Sequence, residues 1–343
     1  MDLLLQVPLP DDAVYVASLA ETVRQLPAVA DYGRMIAGKF NRIYMVSSGA
    51  GYHIMRGLEW FGESTAEKIE FRALTSADFN NQLSPKVDCL TTLVILSSKS
   101  GKTPETVAAA ERAKNRLCTT VVFTSETSSL AKQADHAFYL GDTNQAFYAT
   151  FMLMLAFVGG ILEEAEGWGL LEQLLSSLPA LPKVLISAAR QSELQGKVNA
   201  ERYAAGDPIY LFASGPGMLV PGGFGLCVVE EKLKVVVVDR GADHFFHSTL
   251  ETTTKTSRHF ILIVAEDSSR EQMERMVTFC KEHAGHTEIY DTEEFKMEGI
   301  DPKIRPLVAP YVAEAALKPY AFYLSQVTER PLNDMRYMGK IDY

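Results

Sequence analysis

Short runs of consecutive apolar residues alternate along the chain with longer stretches of helical character. IYMVSS from Ile43, TTLVILSS from Thr91 and TTVVFTS at 119–125 each end in a turn rich in hydroxyls or glycine. Apolar runs of this length, bounded by turn residues, read as strands covered on both faces. The segment VAAAERAKNRLC, which follows the second run, has the composition of a helix. Strands alternating with helices predict βαβ units and a parallel sheet.

The pattern occurs twice. IYMVSSGAG at 43–51 matches IYLFASGPG at 209–217, and TTLVILSSKSG from Thr91 matches RHFILIVAEDSS from Arg258. The expected fold is therefore α/β: two tandem doubly wound parallel-sheet domains of flavodoxin-like type, with an N-terminal helix and a C-terminal tail. The boundaries expected are an N-terminal helical segment at 1–38, a first domain at 39–165, a helical connection at 166–204, a second domain at 205–328 and a tail at 329–343.

The copies differ after their second strand. The first has Ser98-Lys99-Ser100-Gly101-Lys102-Thr103, and the second has Ala265-Glu266-Asp267-Ser268-Ser269-Arg270. In the first, Thr103 suits an N-cap, Pro104 the first helical position and Glu105 the first turn. The turn then lies at a helix N-terminus, where free backbone N–H groups and the helix dipole favour an anion. Ser98, Ser100 and Thr103 add hydroxyl donors, Lys99 adds a cation, and Gly101 lets the backbone approach. The second copy carries two carboxylates in the equivalent place, so only the first copy is expected to bind a phosphate.

Composition narrows the setting. Apolar residues make up 47% and charged residues 22% of 343, as in ordinary globular enzymes. A net charge of −10 argues against a nucleic-acid partner. Cys89, Cys118, Cys227 and Cys280 are widely spaced, which argues against a zinc–cysteine site or a disulfide framework and suits a reducing cytoplasm. No metal and no cofactor are expected. The apolar run AFYATFMLMLAFVGGIL at 146–162 reads as a buried core or interface helix, so no membrane partner is expected. Ser48-Gly49-Ala50-Gly51 resembles the start of a dinucleotide loop, but Ile54 stands where a third glycine belongs. The nucleotide-binding GxxxxGK[ST] pattern is absent.

A strand ending in SxSGxT before a helix, in a duplicated α/β chain, resembles the sugar isomerase (SIS) domain, a phosphosugar-binding family. The closest resemblance is to fructosamine-6-phosphate deglycases, tandem SIS proteins similar to the isomerase half of glucosamine-6-phosphate synthase. Besides SSKSGKTPET, it rests on Glu231 and His247, sixteen residues apart like the family's glutamate and HGxLE histidine, and on the tail DMRYMGKIDY. The pattern departs in three places. Ala50 and Gly51 stand where the family often has hydroxyls, the HGxLE glycine is missing, and His244 replaces an acidic residue.

The resemblance implies an enzyme without a cofactor. Its phosphate would be held by Ser98, Lys99, Ser100 and Thr103, with further substrate contacts at Ser48, Gly49 and Ala50. Glu231, His247 and Lys340 are the catalytic candidates. Moving a proton between C1 and C2 of an open-chain sugar needs one base, and opening the ring needs a second group. Glu231 suits the first task and His247 the second. Glu231 falls four residues after Cys227 and seven after Phe224, on the apolar face of an expected α-helix, with Glu230 about 100° away. The expected activity is a deglycase that converts a 6-phosphorylated fructosamine to glucose 6-phosphate and an amine or amino acid. A phosphosugar isomerase, an amino-sugar-phosphate deaminase and a non-catalytic sugar-phosphate binder remain open. The family's histidine reaches a neighbouring subunit's site, which implies at least a homodimer.

Overall fold

A computed structural model describes residues 2–82, 89–203, 206–255, 259–338 and 340–341. Arg258 and Tyr343, which the sequence pattern placed in a strand and in the tail motif, lie outside them. The chain forms two compact units, one of residues 16–179 and one of residues 1–15 with 180–343.

The first unit holds a five-stranded sheet: β1 (Arg42–Ser47), β2 (Glu70–Thr75), β3 (Thr92–Ser98), β4 (Thr119–Thr124) and β5 (His136–Tyr139). All neighbours are parallel, in the order β2-β1-β3-β4-β5. This is the flavodoxin-like order, in which connections leave β1 and β3 toward opposite faces and open a crevice at their carboxyl ends. β1 and β3 are buried almost throughout, which explains their continuous apolar runs. Tyr44, Val46, Val94 and Leu96 pack on Ala109, Ala110 and Ala113 of the helix Pro104–Asn115, whose small residues let it lie close to the sheet.

The helix Ala146–Glu166 has the length and apolarity of a membrane span, but 89% of its most apolar window is buried inside the fold. Its partner is the helix Ala20–Ala37, and the two backbones meet through glycines. A Cβ on Gly33 would collide with the Phe157 carbonyl oxygen, and one on Gly160 with that of Ala30. The expected buried core helix is thus found, closed by the N-terminal helix.

The second unit holds β6 (Ile209–Ala213), β7 (Val237–Gly241), β8 (His259–Val264) and β9 (His286–Asp291), all parallel, in the order β7-β6-β8-β9. Among the described residues it repeats the order of the first sheet's first four strands. Phe212, Phe245, Phe260, Leu262, Met273 and Met276 form one side of its core. The helix Leu181–Glu201 lies in the segment expected to connect the domains, yet it packs within this unit on Arg305–Ala316 and Lys318–Val327. Its buried stripe, including Leu185, Ala189 and Ser192, supplies the reason. The chain's first residues join the same unit: Lys318 is buried and its ammonium pairs with Asp2 at 3.3 Å and with Glu314.

Gly160→Leu should destabilise the first unit by about 3 kcal/mol or more, because a side chain there forces two backbones apart. Gly167→Ala, where a Cβ meets nothing but φ is +69°, should cost only about 1 kcal/mol. Urea denaturation of the two variants checks this ordering.

Candidate active site

The loops after β1 and β3 open side by side at the first sheet's crevice. The turn after β3 is held from below by a small hydroxyl network. Ser98 Oγ and Thr103 Oγ1 share a hydrogen bond of 3.1 Å, the Gly101 N–H donates to Ser98 Oγ at 3.1 Å, and the Lys102 N–H donates to Ser100 Oγ at 3.2 Å. The Thr124 hydroxyl, at the end of β4, donates to the Ser98 carbonyl at 2.7 Å. Gly101 has φ +60°, and a Cβ there would collide with Ser128, whose backbone region also ties in through Leu130 N–H to the Gly101 carbonyl at 3.1 Å. Only glycine fits.

Thr103 occupies the N-cap position as expected, but its hydroxyl does not cap the helix. It is engaged with Ser98 instead, so the helix N-terminus points at the turn without a side-chain cap. Lys99, Ser100 and Lys102 are exposed, and Ser98 and Thr103 half-buried. The arrangement offers hydroxyls, backbone N–H groups and a helix dipole to one anion.

The first loop departs from a hydroxyl pair for a steric reason. Gly49 has φ +56° and precedes the helix Ala50–Thr65. A Cβ on Gly51 would collide with Ser47 Oγ and lie 2.9 Å from Ser97 Oγ. Those two hydroxyls are buried beneath the loop, with Ser47 Oγ donating to the Ser97 carbonyl at 2.7 Å. Ser48 and Ala50 are half-buried and Gly49 exposed at the crevice.

In the second unit the equivalent crevice is filled by the chain itself. Asp267 accepts from the Ser269 N–H at 2.8 Å, and Gly215 sits so close that a Cβ would lie 2.8 Å from Asp267 Oδ1 and 2.7 Å from Ser269 Oγ. Glu266 is clamped by Arg305 at 2.7 and 2.8 Å, and Arg270 by Asp291 at 2.9 and 2.7 Å. A carboxylate thus stands where the first unit has open donors.

The catalytic candidates all lie in the second unit. The expected α-helix carrying Glu231 is a π-helix over Pro221–Glu230, followed by a single α-turn at Glu231–Leu233. The 100° spacing used to place Glu231 on the apolar face therefore does not apply. The two neighbouring glutamates nonetheless diverge. Glu230 accepts from the Val237 N–H at 2.8 Å, fixing the start of β7, and Glu231 pairs with Lys232 at 3.1 Å with its side chain 26% exposed. Cys227 lies near Glu231. Burial first, then the Glu231 charge, pushes its thiol up to about 11, so it is no nucleophile.

His247 ends the short helix Ala242–His247 and is exposed, with no hydrogen bond or ion pair among the described residues. Glu231 precedes β7 and His247 follows it. β7 spans about 15 Å, so the fold sets the two at opposite ends of one strand. The tail, by contrast, returns toward Glu231. Arg330 donates to the Leu233 and Lys234 carbonyls at 2.9 and 2.8 Å, and Lys234 to the Asp334 carbonyl. Lys340 bonds Asp334 Oδ1 at 3.0 Å. Lys234, Arg330, Asp334, Arg336 and Lys340 line an open hollow of about 370 Å³. Sequence reasoning missed the supports of the turn after β3, Ser47, Ser97, Thr124 and Ser128. For Ser47, Ser97 and Thr124 the signal was a hydroxyl at the end of each apolar run; Ser128 gave none.

A family model for the SIS domain matches residues 37–161, which hold the hydroxyl-lined turn. The chain is 42% identical to agropine synthesis conjugase of Rhizobium rhizogenes, over 99% of this chain and 98% of that one. It is 28% identical to fructosamine deglycase FrlB of Bacillus subtilis, over 88% of this chain and 93% of that one. A Bacillus subtilis crystal structure provisionally assigned as a phosphosugar isomerase superposes with a TM-score of 0.86 at 25% identity, covering 96% of this chain and all of that one. The chain belongs to the SIS-domain family.

Replacing Ser98, Ser100 and Thr103 together by Ala should weaken binding of glucose 6-phosphate by about 100-fold or more, since each lost hydrogen bond to a charged group is worth roughly 1.5–3 kcal/mol. Calorimetric titration measures it. Affinity within threefold of wild type would remove this turn from the binding site.

Proposed function

We propose that the protein is a deglycase for a 6-phosphorylated fructosamine, yielding glucose 6-phosphate and an amine or amino acid. The observation that carries this reading is the contrast between the two crevices. One offers donors to an anion, and the other is closed by Asp267. In this reading the 6-phosphate sits on the Ser98–Thr103 turn. His247 assists ring opening by proton transfer at O5. Glu231 removes a proton from C1 of the open chain and returns one to C2. The product of that shift is the imine of glucose 6-phosphate, which water hydrolyses to the aldehyde and the free amine. Lys340 is the third candidate, tied by the tail to the turn that follows Glu231.

The similarity to a conjugase favours a second reading, the same reaction run toward condensation. An amine and an aldose lose water to give an imine, and the proton shift from C2 to C1 then gives the ketosamine. Microscopic reversibility lets one set of residues serve both directions. A coupled assay of glucose 6-phosphate release from a panel of phosphorylated fructosyl amino acids tests the first reading. Incubation of glucose 6-phosphate, or glucose, with amino acids tests the second. No turnover in either direction would leave only a sugar-phosphate binder.

Glu231→Gln keeps size and loses the proton acceptor. It should lower kcat by about 10²–10⁴ with KM little changed. Glu230→Gln keeps an oxygen for the Val237 N–H and should leave kcat near wild type. Loss of activity in Glu230→Gln alone would transfer the role to that residue.

The site is also proposed to be shared between subunits of a homodimer, because Glu231 and His247 flank opposite ends of β7. Inactive Glu231→Gln and His247→Ala proteins, mixed under conditions of subunit exchange, should regain up to about a quarter of wild-type activity, the share of intact sites in a random mixture. No recovery after verified exchange would place both residues in a single chain's site.

A further inference from the structure

At the opposite edge of the second sheet from its filled crevice, three side chains converge that the reaction does not use. His259 opens β8, His286 opens β9 directly beside it in register, and Glu288 lies two residues on, on the same face as His286. One ligand atom from each falls within 4.8 Å of the others. His259 Nε2 lies 2.7 Å and His286 Nε2 3.0 Å from the same oxygen, Glu288 Oε1.

We propose that His259, His286 and Glu288 bind a divalent transition-metal ion, zinc being the best match. Three observations carry this. The donor set is two imidazoles and a carboxylate, the set that zinc takes when a fourth position is left for water. The side chains of His259 and Glu288 are only 7% and 2% exposed, yet His259 Nε2 and Glu288 Oε2 have no hydrogen-bond partner. His259 Nε2 stands at ion-pair distance, 2.7 Å, from Glu288 Oε1, while the second carboxylate oxygen, Oε2, stays without a partner. Buried polar atoms are rarely left so. Finally, parallel pairing of β8 and β9 fixes the three positions on a rigid edge, while His286, at 32% exposure, gives the ion a way in.

Around a tetrahedral zinc with bonds of about 2.0–2.1 Å, ligand atoms stand about 3.3 Å apart. The His259–Glu288 pair at 2.7 Å therefore needs to open by about 0.6 Å and the His286–Glu288 pair at 3.0 Å by about 0.3 Å. Tyr320, whose ring lies 5.7 Å from that of His259, buries a hydroxyl that also lacks a partner. One group opposes the ion: the Arg202 guanidinium lies 3.3 Å from His286 Nε2 and competes for the open side. The bound ion would cross-link β8 to β9, and its role is structural, independent of the sugar chemistry.

The test uses untagged full-length protein stripped with a chelator and then titrated with zinc, with melting temperature and metal content as readouts. One equivalent should bind and raise the melting temperature. His286→Ala, the most exposed ligand and so the least risk to folding, should weaken binding by about tenfold or more, since losing a ligand costs no less than losing a supporting contact. Glu288→Gln should do the same. Arg202→Ala should tighten binding by removing the competing cation. Substitution with Co²⁺ should give visible d–d absorption that His286→Ala abolishes. Zinc binding no tighter in wild type than in His286→Ala, or a cobalt spectrum unchanged by that substitution, overturns the proposal.

Discussion

Where the connections of neighbouring parallel strands leave toward opposite faces of the sheet, a crevice opens that the chain must fill or present to a ligand. This chain builds that crevice twice and resolves it in two ways. After β8, Asp267 accepts the Ser269 N–H just before the following helix and sets a carboxylate in the turn. After β3, the hydroxyls of Ser98 and Thr103 bond to one another and the turn from Ser98 to Thr103 carries no carboxylate. The asymmetry is local, a handful of residues in a duplicated frame. Much of what supports it is packing: glycine at 101 and 51, and buried hydroxyls at 47, 97, 124 and 128 that shape the floor.

β1, β3, β4, β6 and β8 and their duplication were legible because these strands are buried on both faces, whereas β2, β5, β7 and β9, partly exposed, gave no such runs. Continuous apolar runs ending in Ser-Gly turns have few other interpretations. The turn after β3 was legible for the same reason: strand end, glycine, proline and helix follow one another within ten residues. The π-helix before Glu231 was not legible. A π-helix adds a residue to each hydrogen-bonded ring, but PGGFGLCVV is apolar or glycine throughout, so no period in it separates π from α. The helix Leu181–Glu201 looked like a connection because it is charged. Only its packing partners, Arg305–Ala316 and Lys318–Val327, assign it to the second unit. The His259–His286–Glu288 cluster lay beyond reach because its members are 27 and 29 residues apart along the chain and meet only through strand register.

The second unit then has two edges with different duties. Its carboxyl-end crevice is closed, and its amino-end edge carries the turn after Glu231, the returning tail and the histidine–glutamate cluster. The family relation sets the SIS fold, and the shared motif does not encode the substrate.

A crystal structure of the full chain with glucose 6-phosphate tests the central claim most directly. The account predicts the phosphate within hydrogen-bond distance of the Ser98, Ser100 and Thr103 hydroxyls, with the 265–269 turn still closed by Asp267. A phosphate bound at that second turn, or in the cationic hollow lined by Lys234, Arg330 and Lys340, with the first crevice empty, would contradict it.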